Sequence, residues 1–208
     1  MRTLLLATSN QHKLEELRAI LSDLPFKLFS LQDLQVDMAV EETGATFAEN
    51  AELKARAYAQ ASGMLTLADD SGLEIDALGG APGIRSARYL GRETTYEERF
   101  RRILAQLNGL PVDRRTARFR CAIALADPSG STRIVEGVIE GVIADVPHGK
   151  NGFGYDPIFF VPELGKTLAE LAPEQKNRIS HRGRAAQAAR ILLENWSGDL
   201  HSRSKGDA

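Results

Sequence analysis

Cysteine is nearly absent from this 208-residue chain: Cys121 is the only one. One thiol excludes an intrachain disulfide framework and any multi-cysteine zinc site. In an apolar stretch it reads as a small buried residue. No apolar run approaches the roughly 18 residues of a membrane helix. The N-terminal apolar stretch, Leu4 to Ala7, is shorter than the about 7–15 residues of a signal-peptide core. Excess positive charge is missing too. Against 28 acidic residues stand 26 basic ones, for a net charge of -2. That excludes a basic nucleic-acid coat or a polybasic membrane binder. No internal repeat, low-complexity tract, Walker A loop or dinucleotide fingerprint occurs. The expectation is a soluble cytoplasmic protein that binds neither nucleic acid nor membrane.

What remains is an ordinary globular composition, 43% hydrophobic and 26% charged. Its length fits one domain over 1–196. The polar segment 197–208 reads as a disordered tail. A leucine-rich strand at 3–7 leads through Thr8-Ser9-Asn10 into a helix at 11–22, where Leu14, Leu17 and Leu21 form an apolar face. A second strand is expected at 26–31. Thr46 and Glu49 form a capping box for an alanine-rich helix that ends at Ser62-Gly63. A short strand at 65–68 is expected to end in an acidic turn, Asp69-Asp70-Ser71-Gly72. A further helix opens at Thr95. A hairpin pairs 117–126 with 132–143 across a Pro-Ser-Gly turn. After a glycine-dense loop at 147–157 come a short strand at 158–161 and helices near Thr167, Pro173 and Gly183. The last of these is expected to turn Ala188, Ile191 and Leu192 to the core. Interleaved strands and helices around a hairpin predict an α/β fold with a mixed sheet.

Four segments carry candidate chemistry. Thr8, Ser9, Asn10, Gln11, His12 and Lys13 span a helix start, where free amides, hydroxyls and a lysine suit phosphate. Asp69-Asp70 and Glu41-Glu42 are acids on separate loops, which can share a hard cation such as Mg²⁺. Phe153, Gly154, Tyr155 and Asp156 set an aromatic beside a carboxylate, as base stacking with ring N–H recognition needs. Lys176, His181 and Arg182 stand in a basic cluster able to donate to a keto oxygen or a phosphate. Arg184 and Arg190 read as a solvated helix face. Each signal alone is as well explained by caps, turns and surface charge. Together they are the parts of a nucleotide enzyme.

Thr8-Ser9-Asn10-x-x-Lys13, Phe47-x-Glu49-Asn50-Ala51-x-x-Lys54-Ala55, Ala68-Asp69-Asp70-Ser71-Gly72-Leu73, Gly80-Ala81-Pro82-Gly83, Ser86-Ala87-Arg88-Tyr89, Gly152-Phe153-Gly154-Tyr155-Asp156-Pro157 and Ser180-His181-Arg182-Gly183 occur in an order that resembles the inosine triphosphate pyrophosphatase family. The resemblance runs from Leu4 to Trp196. It implies a long mixed twisted sheet flanked by helices, with an active cleft between two lobes, and a homodimer. The implied reaction is Mg²⁺-dependent hydrolysis of noncanonical purine triphosphates (ITP, dITP, XTP) to the monophosphate and pyrophosphate, cleansing the nucleotide pool. Residues 8–13 and Lys54 would hold the triphosphate and Ser71 would touch substrate. Phe153 to Asp156, Lys176, His181 and Arg182 would form the base site. Asp70 would be proton acceptor and metal ligand. Glu41 would bind the metal, with Asp69 a further candidate. The first motif often has glycine where Ser9 stands. Two other readings are weighed against this one: a Maf-like pyrophosphatase acting on other nucleotides, and a nucleotide sensor without turnover.

Overall fold

The computed structural model describes residues 2–196, and the expected tail at 197–208 lies outside them. Seven strands form one sheet in the order β2-β1-β3-β4-β5-β6-β7. β1 (Arg2–Leu6) runs parallel to β2 (Phe26–Ser30) and to β3 (Thr66–Ile75). From β3 onward the sheet is antiparallel through β4 (Thr116–Ala126), β5 (Thr132–Ile143), β6 (Phe159–Val161) and β7 (Lys166–Thr167). The expected mixed sheet and hairpin are present.

The helices follow their caps. Asn10 accepts from the Lys13 amide at the start of α1 (Gln11–Ile20). Thr46 caps α2 (Phe47–Ser62), which Gly63 ends in a left-handed conformation. Thr95 caps α3 (Tyr96–Gln106). α4 (Pro173–Ile179) starts at its proline, and Ser180 caps α5 (His181–Glu194).

Strand alternation sorts the core into two faces. Leu4, Leu6, Leu67, Ile123 and Leu125 pack under α1 and α5. Their neighbours Leu5, Ala68, Ala122 and Ala124 face α2 through its own Ala51, Ala55 and Ala59. Small residues on both partners let α2 lie close to the sheet. Gly137 does the same for α5: a Cβ there would run into the backbone of His181 and Ala185. A third cluster, with Leu73, Phe100, Phe119 and Phe159, fills the body beyond the hairpin's midpoint.

Two expectations need correction. The acidic segment is not a turn after a short strand. Asp69 to Gly72 lie inside the ten-residue β3, paired residue for residue with β4. Aspartate and glycine are poor strand formers, but β4 pairs the groups on one edge, while the Asp70 carboxylate and Ser86 hydroxyl take the Ser71 and Leu73 amides on the other, and this overrides propensity. The buried face of α5 is also rotated from the expected one. Ala185, Ala186, Ala189 and Leu193 are buried, Leu192 packs at the margin, and Ile191 is 61% exposed. Gly137 lets the first turn of α5 lie close on β5, and the helix settles on its alanines and Leu193 with Ile191 turned to solvent.

Candidate active site

β1 ends at Leu6 and pairs with β3 only as far as Leu67. Beyond that point β3 has β4 on one side and no strand on the other. The gap is the floor of a cavity of about 720 Å³. It is walled by Thr8 to Gln11, Lys13, Ser30 to Gln32, Val36 to Val40, Glu42, α2, the Phe153 to Asp156 loop and the start of α5. The acid pair lies on this floor. Because side chains alternate, Asp69 points to the α1/α5 side and Asp70 to the α2 side.

Asp69 is wholly buried. Its Oδ2 lies 2.9 Å from Lys13 Nζ and 3.4 Å from Arg182 Nε. Burial alone would raise its pKa, but the Lys13 and Arg182 charges prevail and hold it well below the carboxylate range. Asp69 Oδ1 is buried without a partner. Asp70 behaves oppositely. Burial raises its pKa, and Lys54 and Lys13 only partly offset this. Its Oδ1 accepts from the Ser71 amide at 3.0 Å and its Oδ2 from Asn50 Nδ2 at 3.1 Å. Lys54 Nζ sits 3.7 Å from Asp70 and 2.7 Å from Glu42 Oε1. Burial works against the Lys54 charge, but Asp70 and Asp69 outweigh it and raise the pKa. Arg88 Nη1 donates to the other oxygen of Glu42 at 2.9 Å.

At the far end of the cavity Phe153 stacks on exposed His12, with centroids 5.2 Å apart and 12° between planes. Lys176 Nζ lies 4.7 Å from the same ring. Lys176 bonds Asp156 Oδ2 at 2.5 Å and Glu16 Oε1 at 2.7 Å. Arg182, the largest fully buried side chain, reaches Glu16 at 2.6 Å, Ser71 Oγ at 2.8 Å and Asp69. Asp156 is buried, which raises its pKa against the pull of Lys176. Gly152 has φ +70°, and a Cβ there would strike Asp156 Oδ2. His181 stacks on Phe119 at 4.6 Å. Burial, with Arg182 and Lys176 nearby, drives its pKa well below 6.5, so its ring is neutral. Tyr155 is buried, and its hydroxyl donates to the Ser86 carbonyl.

A family model described as the Ham1 family matches residues 4–191. The chain belongs to the Ham1 family. A dITP/XTP pyrophosphatase of Geobacillus kaustophilus is 48% identical over 94% of this chain and 95% of its own length. That of Bacillus subtilis is 46% identical over 93% and 98%. Among solved structures, a HAM1 protein from Coxiella burnetii superposes with TM-score 0.86 at 45% identity, covering 94% of this chain and 100% of that one. The Ham1 protein of Staphylococcus aureus gives 0.83 at 43%, covering 93% and 99%.

In this Ham1 family chain the cavity lining brings together Thr8 to Gln11, Lys13, Lys54, Asp69 to Ser71, Phe153 to Asp156, Lys176, His181 and Arg182. Two expected residues stand apart. His12 is exposed behind Phe153, and Glu41 is exposed outside the lining, while Glu42 takes the inward position. Three residues were missed. Glu16 bridges two buried cations, and its signal was its place one helical turn after Lys13. Asn50 is fully buried against Asp70, and Arg88 holds Glu42. The last two stand in quoted motifs, but the resemblance assigned them no role.

Among the described residues no three His, Cys, Asp or Glu side chains converge tightly enough to hold a metal by themselves. Mg²⁺ does not require that. It commonly keeps several waters and takes one or two carboxylates plus substrate phosphates. Asp70 and Glu42 are hard oxygen donors lining one cavity and fit such an ion.

Proposed function

We propose that this cleft hydrolyses noncanonical purine nucleoside triphosphates (ITP, dITP and XTP) to the monophosphate and pyrophosphate. One observation carries the reading. A single cavity joins a buried carboxylate, Asp70, to Lys13 at a helix start, to Lys54 on α2 and to an aromatic end with both donors and an acceptor. The names of the relatives agree with it.

Water attacks the α-phosphorus, a new P–O bond forms, and the α–β bridging bond breaks to release pyrophosphate. Asp70 orients the water and takes its proton. Lys13 and Lys54 neutralise phosphate charge as it moves toward the leaving group. Asp70 and Glu42 would hold Mg²⁺, which when bound would supply further positive charge to the phosphate. Glu42 thereby takes the role that the resemblance gave to Glu41. At the aromatic end Phe153 stacks on the base. Lys176 or Arg182 donates to the 6-keto oxygen, and Asp156 accepts from a ring N–H. Adenine reverses that donor pattern and leaves buried groups unpaired, a strong basis for rejection.

The protein is further proposed to act in the cytoplasm as a homodimer that cleanses the nucleotide pool; light scattering on the purified chain tests the dimer. The decisive assay incubates it with Mg²⁺ and ITP, XTP, GTP, ATP or dTTP and measures pyrophosphate and orthophosphate separately. Pyrophosphate from ITP and XTP, with little from the others, is the expected result. Orthophosphate would move the attack to the γ-phosphorus and overturn the mechanism. Turnover of dTTP instead would favour a Maf-like reading.

A further inference from the structure

Asn50 lies in the first turn of α2, fully buried. Its amide is spent on two contacts. Nδ2 donates to Asp70 Oδ2 at 3.1 Å. Oδ1 accepts from the Gly44 backbone N–H at 2.8 Å. One residue earlier, Glu49 does not close the expected capping box on Thr46. Its carboxylate instead accepts from the Ala45 amide at 2.6 Å. The start of α2 thus fastens Gly44 and Ala45, and with them the loop that carries Glu41 and Glu42. The fit is close: a Cβ on Gly44 would lie 2.7 Å from Asn50 Oδ1. A side chain that only filled space would have no need of a donor and an acceptor in these directions. Leucine has nearly the same shape and would leave Asp70 Oδ2 and the Gly44 amide without these partners.

We propose that Asn50 is a positioning residue, which holds the Asp70 carboxylate and the Glu42 loop in one fixed relation so that base and acidic loop reach the same phosphate. This rests on the reading of Asp70 given above. An amide is the group that can do it. Its NH₂ donor engages one lone pair of Asp70 Oδ2 without taking its negative charge. Its carbonyl holds a backbone amide that no carboxylate-facing donor could serve. Aspartate at this position would keep the Gly44 contact and set a second negative oxygen against Asp70.

The test is Asn50→Asp, made alone and together with Asp70→Asn. Displacing a reacting group by about 1 Å costs on the order of 100-fold in rate. The expected result for Asn50→Asp is therefore a kcat for ITP lower by about 100-fold, with KM within about threefold, because the contacts at Lys13, Phe153 and Lys176 are untouched. The loss is expected to vanish against Asp70→Asn, since both substitutions act through one carboxylate. Losses that multiply instead, or a KM that rises as kcat falls, would overturn the proposal. Asn50→Ala supplies a readout independent of turnover. In its crystal structure Asp70 should leave its present rotamer, and the Gly44 amide should exchange with solvent faster. An unmoved Asp70 and an unchanged Gly44 amide would refute the positioning role even if the wild type proved to have no ITP activity. That last result would count against the proposed reaction and not against the positioning.

Discussion

Asp69→Asn removes one negative charge from the fully buried side of the acid pair and changes almost no volume. Two cations lose their shared partner. Breaking a buried ion pair by removing one member costs about 3–5 kcal/mol, mostly because the other charge is left unpaired. Here the loss falls at the low end. Arg182 keeps Glu16 at 2.6 Å and Ser71 at 2.8 Å. Lys13 is 16% exposed and can turn to water. A cost of about 3 kcal/mol follows. Urea unfolding followed by the single, buried Trp196 measures it. With a slope of about 2 kcal/mol per M, the midpoint should fall by about 1.5 M. The pH dependence has a definite sign. The folded pKa of Asp69 is depressed. Its contribution is therefore fully present above the unfolded value, about 3.9. It is lost as pH falls through the folded value. The gap between wild type and variant should be flat from about pH 7 to 5 and narrow below about pH 4. A gap below about 1 kcal/mol at pH 7, or one that widens in acid, would refute the assignment of Asp69 as the ionised anchor of Lys13 and Arg182.

Gly137→Ala should lower stability by about 1–3 kcal/mol, because α5 must move off β5; calorimetric Tm reads it. Phe153→Leu should raise KM for ITP by about 10-fold with kcat little changed, since base stacking is worth about 1–3 kcal/mol; initial-rate pyrophosphate release checks it. Arg190→Ala should leave the urea midpoint unchanged, because its partners Asp23 and Glu194 are solvent-facing and such pairs contribute little.

The helix starts were legible because their signals are local. Asn10, Thr46 and Thr95 each bond an amide three residues on; Ser180 does the same for α5, which starts at His181, ahead of the expected start near Gly183. The hairpin was legible through its turn residues. What sequence concealed was set by neighbours distant in the chain. β3 continues through Asp69-Asp70-Ser71-Gly72 because β4, some fifty residues later, completes its ladder. The close seating of the first turn of α5 depends on a glycine of β5. The same distinction governs the candidate site. Lys13, Lys54, Phe153 and Lys176 stood in ordered motifs with evident chemistry. Choosing between Glu41 and Glu42 required knowing which of two adjacent residues a loop turns inward. Arg88, forty-six positions away, holds Glu42 there.

The opposed orientations of Asp69 and Asp70 have a consequence for how the chain tolerates change. Ten register pairs join β3 to β4, and eleven join β4 to β5. Slippage by a single residue in such a ladder sends every side chain to the other face. For β3 that would exchange the two aspartates, setting the anchor of Lys13 where the base belongs. The length of the meander therefore acts as a ruler. An insertion in the turn between β4 and β5 leaves the ruler unbroken, whereas one inside β3 or β4 shifts the zero of its scale.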